Sequence, residues 1–121
     1  MVLLLLLEQN KNDGVASNSG HVRVYKNNSG SWEQIGKDID GEKLNDLLGT
    51  SVSLSGDGSI VAIGAHKHDG GGSNSGLVRI YKNNSGSWEQ LGNAIYGSRN
   101  EELGYSVSLS NDGSIVAIGA K

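Results

Sequence analysis

The densest group of chemically capable side chains is His66-Lys67-His68-Asp69. Two imidazoles one residue apart, next to a carboxylate, could share a zinc or nickel ion, because both are ligands for borderline divalent metals. Asp38, Asp40, Glu42 and Asp46 form a second group, of the kind that supplies paired carboxylates for glycoside cleavage. Trp32, Trp88, Tyr25 and Tyr81 offer aromatic faces on which a sugar ring could stack. Asn27-Asn28-Ser29 and Asn83-Asn84-Ser85 are N-x-S acceptors, so Asn27 and Asn83 are candidate glycosylation sites in a chain with secretory passage. The only histidines are His21, His66 and His68, and there is no cysteine. A nucleophile, base and acid that converge are therefore not in view, and disulfides and thiolate metal sites are excluded.

These groups must be weighed against a repeat that runs through the chain. Val22 to Gln34 returns as Val78 to Gln90 with one change, Val24 to Ile80. The tryptophans Trp32 and Trp88 set this offset at 56 (88 − 32). Ser51 to Ser55 returns as Ser106 to Ser110 at an offset of 55 (106 − 51), and Asp57 to Ala65 returns unchanged as Asp112 to Ala120. Periods of this size belong to propellers and solenoid arrays. Repeat 1 spans about 20–75 and repeat 2 about 76–121, with 1–19 completing a preceding partial unit. The first copy has Asn10, Lys11, Asn12 and Asp13 where the second has His66 to Asp69. The histidine pair is thus no part of the repeat, and a solvated loop accounts for it. The carboxylate group is also not repeated, because Ala94, Tyr96 and Ser98 stand in its place. The aromatics do recur, which favours packing between neighbouring units over sugar stacking.

Hydrophobic period two within each copy predicts strands. Val22 and Val24 alternate with polar neighbours, and Val52 and Leu54 alternate with serines. Ile60-Val61-Ala62-Ile63-Gly64-Ala65 is apolar throughout, as in a strand buried on both faces. Strands are expected near 2–7, 21–26, 31–35, 51–55, 59–65, 77–82, 87–91, 106–110 and 114–120. Asp57-Gly58 and Asn27-Asn28-Ser29-Gly30 are turn sequences, since Gly accepts positive φ without steric cost. Glu42 to Leu47 could form a helical turn, but its counterpart Gly97 to Glu102 is polar, so a surface loop is expected. Leu4 to Leu7 align with Ile60 to Ile63. The leucine run therefore reads as a strand, and it lacks the basic flank of a signal peptide. The fold class is all-β: two tandem four-stranded propeller blades with antiparallel sheets, a partial β-propeller.

Leu48-Gly49-Thr50-Ser51-Val52 and Leu103-Gly104-Tyr105-Ser106-Val107 resemble the FG-x-S-V start of FG-GAP repeats. Ile63-Gly64-Ala65 and Ile118-Gly119-Ala120 resemble the GA of GAP, and Gly20 to Tyr25 and Gly76 to Tyr81 resemble the G-x-V-x-V-Y strand that follows. Leucine replaces the Phe, and His66 and Lys121 replace the Pro. The resemblance implies an integrin-α-type propeller with the Ser-rich strand innermost, an extracellular or secreted setting and a non-catalytic binding or adhesion role. It also implies that some blades carry a calcium loop. Here Asp57 and Asp112 are flanked by Ser53 and Ser55, or by Ser108 and Ser110, and by aliphatics. One carboxylate per loop is not a calcium cage, and tight calcium binding is not expected.

Composition narrows the partners. The net charge is −3, without the clustered basic face of a nucleic-acid binder. No apolar run reaches the length of a membrane helix. No cofactor is implied. A protein or glycan ligand is one expectation. A structural role within a larger assembly, with self-association through unpaired edge strands, is the other.

Overall fold

The computed structural model of the chain describes residues 3–8, 19–41 and 46–121, the first segment by its backbone alone. Among the described residues there are eleven strands and no helix. They are β1 (Leu3–Glu8), β2 (His21–Asn28), β3 (Ser31–Gln34), β4 (Ile39–Asp40), β5 (Ser51–Leu54), β6 (Ile60–Ala65), β7 (Leu77–Asn84), β8 (Ser87–Gln90), β9 (Ile95–Tyr96), β10 (Ser106–Leu109) and β11 (Val116–Gly119). The leucine run is a strand, as its alignment with Ile60 to Ile63 anticipates.

Every named strand pair is antiparallel, and the strands form three sheets. The middle sheet has the order β5-β6-β7-β8, with β9 also on β7. The first has the order β1-β2-β3, with β4 also on β2, and the third is the β10-β11 hairpin. Two units' worth of strands, cut part-way through a blade at both ends, were expected. Among the described residues one complete four-stranded path is flanked by a sheet without a β5 equivalent and by a hairpin without β7 and β8 equivalents.

The short strands β4 and β9 have no forerunner in the sequence reading. β3 pairs Gln34 with Tyr25, and Ile35 N–H still donates to Val24 O (2.7 Å). Pairing resumes at Ile39 with Val22. Gly36, at φ 69°, helps turn the chain out of the ladder and back into it. The same interruption precedes Ile95, which pairs with Val78. Elsewhere the predicted strand ends shift by one or two residues, and β2 and β7 each run two residues further, to Asn28 and Asn84.

The core lies between the first and middle sheets. Val22, Val24, Ile39, Leu48, Val61, Ile63, Ala65 and Leu77 are buried in it, with Ile35, Tyr81 and Trp88 packed at its margin. Serine hydroxyls tie the middle sheet to the hairpin. Ser51 Oγ donates to Gly104 O (2.6 Å), and Ser53 Oγ accepts from Leu109 N–H (3.0 Å). Small side chains at these positions let β5 and β10 come close enough to bond.

Candidate functional site

The two copies of the Asp-Gly hairpin are built alike. Gly58 N–H donates to Ser55 O, and Gly58 itself sits at φ 76°. Asp57 Oδ1 accepts from Ser59 N (3.0 Å), Ser59 Oγ (2.7 Å) and Ser55 Oγ (3.0 Å). Asp112 repeats this with Ser114 and Ser110. These hydrogen bonds, led by those from Ser59 and Ser114, hold both carboxyls below the usual aspartate range. Ser55 and Ser110, each in an expected ligand slot, thus join Ser59 and Ser114 in holding the carboxylate on its own turn, which it organises.

The Asn turns follow a similar plan. Asn27 Oδ1 accepts from Gly30 N–H and Asn83 Oδ1 from Gly86 N–H, both at 2.8 Å. Ser29 and Ser85, the third residues of the two acceptor motifs, have φ of 56° and 54° and are exposed.

At the opposite end of the sheets, the loop after β6 meets the loop after β9. Four backbone bonds join them: Gly97 N–H to Gly76 O, Asn100 N–H to Ser73 O, Glu102 N–H to Asn74 O and Leu103 N–H to Ser75 O. The first copy makes the equivalent contacts from Gly41 to Gly20 O and from Leu48 to Ser19 O. Ser73 to Gly76 in the second copy, and Ser19 and Gly20 in the first, are therefore the seat of this loop clamp. Ser75 is fully buried. Its Oγ donates to His68 O (3.1 Å) and accepts from Gly71 N–H (2.9 Å).

Here the expectation of a solvated His-Lys-His-Asp loop needs correction. His68 is 3% exposed. Its Nδ1 accepts from Gly70 N–H (2.9 Å), which places the proton of the neutral ring on Nε2. That nitrogen lies 3.7 Å from Oδ2 of the buried Asp46. Tyr96 lies tilted against the ring, 6.0 Å between centroids. His66 points elsewhere, with Nδ1 3.0 Å from Thr50 Oγ1 and an edge contact to Tyr105. Burial, then Lys67 nearby, push the His66 pKa below its ordinary value. Asp69 Oδ1 accepts from Asn74 N–H (2.7 Å). The two imidazoles and Asp69 do not converge, and among the described residues no three His, Cys, Asp or Glu side chains gather to hold a metal.

The carboxylate group is likewise dispersed. Asp38 bonds Arg23 Nε (3.0 Å) and Gln34 Nε2 (2.8 Å), and the guanidinium foremost lowers its pKa. Asp46 faces His68 in the loop end. Glu42 lies outside the described residues. Lys67 Nζ pairs with Glu102 Oε1 (2.8 Å). His21 is buried. The two tryptophans differ. Trp88 donates from Nε1 to Ile35 O (2.9 Å), bridging to the first sheet, whereas Trp32 is 44% exposed.

What remains outward at the loop end is aromatic and polar. Tyr96 and Tyr105 are each 50% exposed, Lys121 Nζ sits 5.4 Å from the Tyr105 ring centroid, and Arg99 and Asn100 are exposed. Neither tyrosine recurs, since Asp40 and Thr50 hold their places in the first copy, so the repeat pattern does not point to them.

The glycines of the repeat motif also have physical causes. Gly49 N–H donates to Gly64 O (2.9 Å), and a Cβ on Gly64 would lie 2.2 Å from Gly104 O of the next unit. Leu48, in the place of the family Phe, is 1% exposed.

Architecture and motif together define a tandem all-β repeat of antiparallel sheets. Residues 38–81 match the family model of the FG-GAP repeat, so this stretch, from β4 through β7 to Tyr81, is an FG-GAP repeat. Repeats of this family are generally non-catalytic and are typically part of β-propeller binding domains. No curated protein matches the chain.

Proposed function

We propose that the chain is a non-catalytic binding module of β-propeller type, with its ligand surface at the loop end that carries Tyr96 and Tyr105. One observation carries this reading. The loops after β6 and β9 are clamped by four backbone bonds, and this fixed frame holds two half-exposed tyrosines outward. Tyrosine offers a rigid aromatic face and a hydroxyl at low entropic cost, which suits a protein or glycan ligand. The groups that could have supported catalysis are engaged in contacts of the fold itself: Asp57 and Asp112 in their turns, Asp38 with Arg23, and His68 beside Asp46. In an extracellular setting, Asn27 and Asn83 would be the glycan acceptors. Arrays of glycans and of extracellular proteins, probed with the chain and with a Tyr96→Ala, Tyr105→Ala double variant, test the reading. Binding that the double variant loses supports it, and binding that survives places the ligand surface elsewhere.

A second reading, an assembly unit without a ligand of its own, is favoured by the exposed Trp32.

A further inference from the structure

The junction between the first and middle sheets shows how one unit of this repeat receives the next. On the receiving side are Ile35, Gly36 and Ile39, and on the incoming side are Tyr81 and Trp88. Trp88 Nε1 donates to Ile35 O (2.9 Å), and the core closes around Ile39, which is 6% exposed. Gly36 must be bare, since a Cβ there would lie 2.8 Å from Gly86 O and 2.9 Å from Trp88 Cδ1.

Both halves of this junction occur a second time, unjoined among the described residues. The receiving half returns on the middle sheet as Leu91, Gly92 and Ile95. Leu91 is 46% and Ile95 39% exposed. Gly92 keeps the left-handed backbone of Gly36, φ 74° against 69°, yet nothing lies within 4 Å of where its Cβ would be. The incoming half returns on the first sheet as Tyr25 and Trp32. The open receiving face is also less charged, because Asn93, Ala94 and Tyr96 replace Lys37, Asp38 and Asp40. An exposed face whose complement is exposed elsewhere on the same chain makes a heterologous contact that closes into rings or extends into filaments.

We propose that copies of this chain associate head to tail, the Trp32 face of one copy seating on the Leu91-Gly92-Ile95 face of the next, with Trp32 Nε1–H donating to the Leu91 carbonyl. The internal junction is the template. β1 pairs with β2 in the incoming copy, and β11 of the receiving copy is the equivalent strand of the next sheet, so docking on this template displaces one of the two from the place beside β2. This goes beyond the loop-end binding surface and does not depend on it.

The absence of cysteine makes the test direct. Ser31 and Asn93 are the counterparts of Ser87 and Lys37, which line one groove of about 410 Å³ at the internal junction. Chains carrying Ser31→Cys and chains carrying Asn93→Cys are mixed and treated with a short bismaleimide. A covalent Ser31→Cys/Asn93→Cys pair is expected, with little linkage of Ser31→Cys to itself. Trp32→Ala and Leu91→Glu, at opposite faces, should each weaken association about tenfold or more, as loss of an interface anchor does, while the dichroism spectrum stays that of the parent. Light scattering that gives a 12.6 kDa particle at high micromolar concentration overturns the proposal. So does association that persists in both variants, or Ser31→Cys that links to itself as readily as to Asn93→Cys.

Discussion

Ile60–Ala65 and Ile115–Ala120 are the same six residues in two settings. In the first, Val61, Ala62, Ile63 and Ala65 have no exposed surface. In the second, Ile115 is 68% exposed and Val116 and Ile118 are only half-buried. Both copies lie in antiparallel ladders of equal register: Val52 pairs with Ile63, and Val107 with Ile118. The local sequence therefore dictates the strand, and the burial comes from the neighbours. β6 has β7 on its other edge and the first sheet against it, and β11 has neither among the described residues. In a repeat, core is a relation between units and no property of one unit.

The comparison can be broken most forcefully at the paired isoleucines. Ile63→Ala should cost about 3 kcal/mol, as for a fully buried aliphatic residue, whereas Ile118→Ala should cost about 1 kcal/mol or less. Denaturant unfolding of the two variants measures the gap, and equal losses would mean that both strands are buried alike in solution. The glycines come next. Gly64→Ala places a methyl against Gly104 O, a backbone atom that cannot swing away, and should cost about 2 kcal/mol. Gly119→Ala meets mainly the Ser106 hydroxyl, which can rotate, so its midpoint should move far less. Trp88→Phe removes the bond to Ile35 O and should lose about 1 kcal/mol. Trp32→Phe should leave the stability of the separate chain unchanged.

The smallest effect concerns pH. His66 has a depressed folded pKa, chiefly through burial, and Lys67, Glu102 and Lys121 lie around it. Its unfolded form takes up a proton near pH 6.5, where the folded form does not yet do so. Stability should therefore be level above that pH and decline as pH falls from there through the folded pKa. His66→Asn should flatten that part of the profile, and an unchanged slope would show that His66 is not its source.

Most of the strand order was legible because period-two patterning and Asp-Gly turns speak directly of local backbone. β4 and β9 were not, since two residues carry no periodicity and the excursion at Gly36 to Asp38 hides that the outer strand resumes. The site was harder to read. Asp57 as an internal turn organiser could have been foreseen from the serines on either side of it. The burial of His68 could not, because it depends on Asp46 and Ser75, which approach from different loops. The only local hint was the recurring Ser-Asn-Ser-Gly. The match over residues 38–81 agrees with the resemblance read from the Leu-Gly and Ile-Gly-Ala motifs.

One difference between the otherwise equivalent hairpins, Gly56 against Asn111, bears on how the chain finds its fold. Gly56 N–H donates to Asn111 O (2.7 Å), and a Cβ on Gly56 would fall 1.8 Å from Asn111 Oδ1. Near-identical strands invite exchange during folding, when β11 competes with β6 for β7, and such swaps are a characteristic failure of tandem repeats. The contact pairs a bare Gly56 with the Asn111 side chain, so a chain that exchanged the two hairpins would reverse which side supplies the side chain. This one position acts as a key that distinguishes two nearly interchangeable segments. Gly56→Asn would erase the distinction and leave the chain to sort its own copies by connectivity alone.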